Sequence, residues 1–279
     1  MSYTFADVIT CLEDLAPRAF AEDWDPVGPQ LQLEDLSATV SGLVLSLDSD
    51  RQALDLARET GANFLISHHP LFFHPLPRLL ASEPEQAFIL DCVRQGLSIY
   101  AAHTNLDAAV GGVNEGLLDL LGWRAKSSLF PQEQAALQRW RPADQREDLE
   151  PGYVRLVEVE TELEIQELSA LLKKSLDLPT GFLHMASQPA RKIRRVAVSG
   201  GAFDGDWIPA LSAANCQALI CGELRYHEMQ ALALRGISCY ALGHAQSERP
   251  LLRRLASYFA QRLPGLAVHC SQVTGPSQG

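Results

Sequence analysis

The chain has 279 residues, a formal net charge of −11 at pH 7, 47% hydrophobic residues and 20% charged residues. That length exceeds what one hydrophobic core usually serves, so two domains are expected. The acidic balance argues against a general nucleic-acid coat, which needs basic surface to release counterions. No apolar run approaches the roughly 20 residues that cross a bilayer.

Six cysteines lie scattered without a C-x-x-C pair, and the first residues lack the charged-then-apolar pattern of a secretion signal. Both features suit a reducing, cytoplasmic setting. The one basic cluster, Arg191-Lys192-Ile193-Arg194-Arg195, reads as a solvated lead-in to a strand.

Thr4 is placed to cap a helix whose buried face is Phe5, Val8, Ile9, Leu12 and Leu15. Trp24-Asp25-Pro26-Val27-Gly28-Pro29 breaks helix and reads as an ordered loop. A strand is expected over 42–48, a helix over 51–60 stopped by Gly61, and a strand ending at Ser67 just before His68-His69. A Pro-rich excursion runs from Pro70 to Pro84. A helix over 85–95 and a strand over 97–102 then lead to His103-Thr104-Asn105-Leu106-Asp107.

Residues 127–152, polar and punctuated by Pro131, Pro142 and Pro151, read as a variable connector between lobes at 1–126 and 153–279. A strand is expected over 154–159 and a helix over 164–176. The last 90 or so residues then repeat the order of the first half. Strands at 195–200, 218–221 and 237–242 answer those at 43–48, 64–67 and 97–102. Both third strands are followed by a His and, four residues on, an acid: His103/Asp107 and His244/Glu248. Alternating β and α elements imply an α/β protein of two similar lobes with mostly parallel sheets.

In such sheets ligands gather at the carboxyl ends of the strands. Adjacent histidines on extended chain point to opposite sides, so His68 and His69 are expected to take one ion each. Asp107 has two oxygens with which to bridge, and His244 and Glu248 share a face if their segment is helical. Three imidazoles and two carboxylates suit Zn, Mn, Fe, Co or Ni rather than Ca. His103, Glu223 and His227 form a second tier of partners or acid/base groups. Gly111-Gly112-Val113-Asn114 opens a helix, where successive N–H groups are able to cradle an anion.

Taken together, Trp24-Asp25-x-Val27-Gly28, Ser67-His68-His69-Pro70, His103-Thr104-Asn105-Leu106-Asp107, Gly111-Gly112-Val113-Asn114 and Gly243-His244-x-x-Ser247-Glu248 resemble one known family. It is the dinuclear-metal-centre family also labelled GTP cyclohydrolase 1 type 2 homolog and named for the Ngg1-interacting factor three. The resemblance covers nearly the whole chain. It implies two α/β lobes with paired metals between them, a toroidal homohexamer, and His68, His69, Asp107, His244 and Glu248 as ligands. This chain departs from the family's pattern at Pro26, at Pro29 and at Cys221-Gly222-Glu223, where many members carry Thr-Gly-Asp.

The leading functional expectation is a dinuclear-metal-dependent hydrolase of a small anionic substrate, a nucleotide or phosphoester. His103 is its proton-transfer residue and Gly111, Gly112 and Asn114 contact the substrate. The alternative is a non-catalytic metal-binding ring that recruits a protein or nucleic-acid partner. A membrane partner is not expected, and the acidic charge counts against nucleic acid.

Overall fold

A computed structural model describes residues 2–131, 149–176, 178, 181–187, 189 and 191–271. Of the expected connector at 127–152, residues 132–148 lie outside the described residues.

The chain divides into two compact units. The first takes Met1–Leu106 and the stretch from Leu252 onward, the second Asp107–Glu133 and Pro142–Leu251. This differs from the boundaries read from sequence, for reasons of pairing and packing. The strand β11 (Val268–Cys270) pairs in parallel with β2 (Leu43–Ser46), which returns the chain's end to the first unit. Helix α5 (Val113–Leu121) places Leu117 and Leu118 in a core shared with Val157 and Val196, which draws 107–126 into the second unit.

The first unit holds a five-stranded sheet of order β1-β4-β3-β2-β11. Strands β2, β3 (Phe64–Ser67) and β4 (Ser98–Ala101) run parallel in register, Leu43 beside Phe64 beside Ser98. All three are buried along their whole length, as strands covered on both faces must be. Helix α1 (Phe5–Leu15) opens with a reciprocal Thr4–Asp7 capping box. Helix α2 (Arg51–Thr60) starts from an Asp50 cap and stops at Gly61 in a left-handed conformation. Helix α3 (Pro84–Gln95) begins on its proline. Gly28 and Pro29, the end of the expected loop, instead begin the short edge strand β1 (Gly28–Leu31), antiparallel to β4. Pro29 is tolerated there because an edge strand does not need every donor.

The second unit's six-stranded sheet has the order β5-β6-β8-β9-β10-β7. At its centre β8 (Ile193–Ala202), β9 (Ala218–Glu223) and β10 (Ser238–Ala241) repeat the parallel triple, with Val196 beside Ala218 beside Ser238. The mostly parallel sheet expected from sequence is found in the first unit but not in this one. Strands β5 (Ser127–Pro131), β6 (Gly152–Leu163) and β7 (Leu183–Met185) all pair antiparallel. Helix α6 (Ile165–Leu176) covers one sheet face through Leu168 and Leu172. Helices α7 (Ile208–Ala213) and α8 (Tyr226–Leu234) cover the other through Leu211 and Leu232. No helix among the described residues is long and apolar enough to cross a membrane.

Candidate metal centre

In the first unit the chemistry gathers just past β3 and β4. His68 and His69 follow the last residue of β3, and His103 stands between β4 and the short helix α4 (Thr104–Ala108). The ring centroids lie 5.0 Å (His68–His69), 5.2 Å (His68–His103) and 5.6 Å (His69–His103) apart. One nitrogen from each ring falls within 4.8 Å of the others, a spacing that can hold an ion. The opposite-facing arrangement expected for His68 and His69 does not apply, because β3 ends at Ser67 and both residues occupy a bend.

Each of these rings is fixed through Nδ1. His68 Nδ1 lies 3.0 Å from the Ala102 carbonyl oxygen. A carbonyl only accepts, so this nitrogen carries the proton and Nε2 of the neutral ring carries the lone pair. His69 Nδ1 is 2.8 Å from Asp48 Oδ1, and His103 Nδ1 is 3.1 Å from Asp25 Oδ1. A carboxylate or carbonyl behind the ring is the arrangement that sets tautomer and raises basicity in metal-binding histidines. His68 Nε2 and His69 Nε2 are both buried atoms.

Asp25 is itself held firmly. Burial disfavours its charge, but hydrogen bonds from His103 and from the hydroxyl and backbone N–H of Thr104, with the His103 charge, outweigh it. The carboxyl is held below its ordinary range.

In the second unit the acid comes forward. Helix α9 (His244–Glu248) sets His244 Nε2 3.0 Å from Glu248 Oε1. That distance is a direct His–Glu contact between two groups of the kind that ligate transition metals. Glu248 is 2% exposed and its Oε2 is a buried atom. The approach depends on Gly201, which has φ +69°. A Cβ there would stand 2.5 Å from Glu248 Oε1. Ser247 Oγ locks the helix in place, accepting from Gly201 N–H at 2.9 Å and donating to the His244 carbonyl at 2.7 Å.

Asp107 lies within α4 and brings a buried Oδ1. Its backbone and the turn after it are held by a buried network. Asn114 donates to the Asp107 carbonyl at 3.0 Å and to the Tyr153 carbonyl at 3.2 Å, and accepts from Gly200 N–H. Glu115 accepts from Gly111 N–H at 2.8 Å and pairs with Arg155, which is 0% exposed. Arg155 also donates to the carbonyls of Ala108, Ala109 and Gly152. Gly112 N–H is spent on Ala109 O at 3.2 Å. The donors of Gly111, Gly112 and Asn114, expected to face an anion, are therefore engaged within the unit, where they fix the turn that carries Asp107.

Of the second-tier residues, Glu223 stands 3.5 Å from His244 Nδ1 and is exposed. His227 instead lines a cleft of about 500 Å³ together with Asp204, Arg225 and Arg235. Cys221 is fully buried, and burial pushes its thiol far above the usual range, so it is inert packing. Sequence reading missed Asp48 and the carboxylate role of Asp25. Their partners lie 21 and 78 residues away, and only an acid two residues past β2 hinted at the first.

The fold and site define an α/β protein with a histidine cluster in one unit and a His–Glu pair in the other. The profile of the family Duf34/NIF3 (NGG1p interacting factor 3) matches residues 3–276, and the chain belongs to that family. It is 27% identical over 257 residues to a Clostridium perfringens protein called GTP cyclohydrolase 1 type 2 homolog, covering 92% of this chain and 91% of that one. It is 25% identical over 258 residues to the NIF3-like protein 1 of Drosophila melanogaster, covering 92% and 82%. Among solved structures, the Staphylococcus aureus hypothetical protein SA1388 superposes with a TM-score of 0.82 at 23% identity over 99% of both chains. A Bacillus cereus protein related to NIF3 does so with a TM-score of 0.82 at 20% identity, over 98% and 97%. These two share the fold.

Proposed function

We propose that this chain is a metal-dependent hydrolase in which His68, His69, Asp107, His244 and Glu248 together hold two divalent transition-metal ions. The observation that carries the reading is the Nδ1 anchoring of the histidines. His68 on a carbonyl and His69 on Asp48 are prepared to offer Nε2 to a cation. Imidazole nitrogens with carboxylate oxygens match Zn, Mn, Fe, Co or Ni. Ions of this kind supply a water of lowered pKa and polarise a phosphoryl or carbonyl oxygen.

The chain's own residues supply the rest. His103, backed at Nδ1 by Asp25, accepts or donates a proton at Nε2. The Asp25 carboxylate holds the orientation of that ring through Nδ1. Arg155, Glu115 and Asn114 hold the Asp107 turn so that its carboxylate does not wander between turnovers.

The substrate in this reading is small and anionic, a nucleotide or phosphoester. The name carried by curated relatives puts GTP first among candidates. The reading also includes the toroidal homohexamer implied by the family resemblance, which light scattering on the purified protein would measure. The test of function is turnover by metal-loaded protein on GTP and a panel of phosphoesters. Activity that falls by about a hundredfold or more in His103→Ala is expected. Metal binding with no turnover on any of these substrates would overturn the hydrolase and leave the non-catalytic ring.

A further inference from the structure

Two large rings stand exposed beside the histidine cluster. Trp24 is 63% exposed and Phe73 is 50% exposed. Both make edge contacts with the His103 ring, each at a centroid distance of 6.0 Å, with interplanar angles of 76° and 82°. An exposed tryptophan and an exposed phenylalanine meeting on one titratable residue are not incidental surface. Single apolar residues scatter, whereas this pair converges.

The loops that carry them are fixed. Asp25, next to Trp24, is buried and tied to His103 and Thr104. Gln30 stitches the two loops together, donating to the Pro26 carbonyl at 2.6 Å and accepting from Phe72 N–H at 3.1 Å. The rings are thus presented at little further cost in order, which is how a binding site keeps its affinity.

We propose that Trp24 and Phe73 form a stacking site for a planar aromatic heterocycle of the substrate, a purine in the first instance, with the anionic part of the same molecule directed to the metal centre. The substrate class narrows from small anions in general to phosphorylated heterocycles. This rests on the proposed metal-dependent reading for the anionic end only, since the aromatic pair stands without it. Stacking on an aromatic side chain changes affinity by about tenfold or more per ring.

The test compares GMP with ribose 5-phosphate, which has the phosphate and sugar but no base, by calorimetry on the full chain with and without Mn²⁺. Wild type is expected to bind GMP at least about tenfold more tightly than ribose 5-phosphate. That preference collapses in Trp24→Ala and in Phe73→Ala and survives in Trp24→Tyr, while Mn²⁺ stoichiometry stays as in wild type. Equal affinity of wild type for the two probes overturns the proposal, as does a preference untouched by both alanine substitutions. So does a change of oligomeric state in either alanine variant by light scattering, which would mean that the rings pack against another copy. If wild type binds no Mn²⁺, the metal reading fails, and the base preference is still decided on the metal-free protein.

Discussion

The two units end the same parallel triple in different chemistry. After β2-β3-β4 come three imidazoles, two of them with a carboxylate behind at Nδ1. After β8-β9-β10 comes one imidazole with a carboxylate beside its Nε2. The first unit thus offers imidazole nitrogens anchored from behind, with the His68 tautomer settled by the Ala102 carbonyl. The second offers carboxylate oxygen, and its support is the side-chain network of Asn114, Glu115 and Arg155, with the exposed Glu223 3.5 Å behind His244. A repeated scaffold thus carries imidazoles after one triple and an imidazole with a buried carboxylate after the other.

The largest expected effect tests the buried side-chain network of the second unit. Arg155→Met strands Glu115 as an uncompensated buried charge and should cost about 3–5 kcal/mol in chemical denaturation. Arg155→Met combined with Glu115→Leu should regain most of that stability. The pinned turn would still be lost, so metal affinity should remain weak. A double variant with wild-type metal affinity would mean that the network does not position Asp107.

Gly201→Ala comes next. The added Cβ meets Glu248 Oε1 at 2.5 Å in a backbone conformation that favours glycine. A loss of about 1–3 kcal/mol in stability is expected, with weakened metal binding, from thermal melts with and without Mn²⁺.

The third effect separates the units by their carboxylates. Asp48→Asn should weaken metal binding by about 10- to 100-fold, because it removes the acid that fixes the His69 tautomer. Glu223→Gln should change it by less than that, since Glu223 is exposed and lies 3.5 Å from its ring. Equal losses in titrations of the two variants would erase the distinction between the halves.

The smallest effect is in acid. The Asp25 carboxyl is held below its ordinary value in the folded chain. Its contribution is therefore complete above the unfolded value of about 3.9 and is lost as pH falls through the folded one. Unfolding of metal-free wild type should lose this increment in strongly acidic buffer, and Asp25→Asn should lack that part of the pH dependence. An identical acid limb in the two proteins would show that Asp25 is not the group responsible.

Local signals made much of this legible in advance. Thr4 and Asp7 mark a helix start by themselves, Asp50 and Gly61 bracket α2, and apolar runs at 43–45, 64–66 and 218–221 announce buried parallel strands. The His-then-acid spacing after β4 and β10 is equally plain in the sequence, and the ligand set read from it is what metal titration tests. The antiparallel share of the second sheet was not legible, because β5 and β7 are short edges whose direction is set by their neighbours. The role of Gly111 and Asn114 was hidden for a related reason. A glycine pair ahead of a helix reads as free donors, and only the buried Arg155–Glu115 pair, 40 residues apart in sequence, reveals where those donors go.

Metal content tests the central claim most directly. Protein purified without a metal-affinity tag should carry about two transition-metal equivalents per chain by elemental analysis, and Asp107→Ala should lose them. An absence of metal, or a content unchanged by Asp107→Ala, would contradict the metal centre and leave the histidines as structural groups.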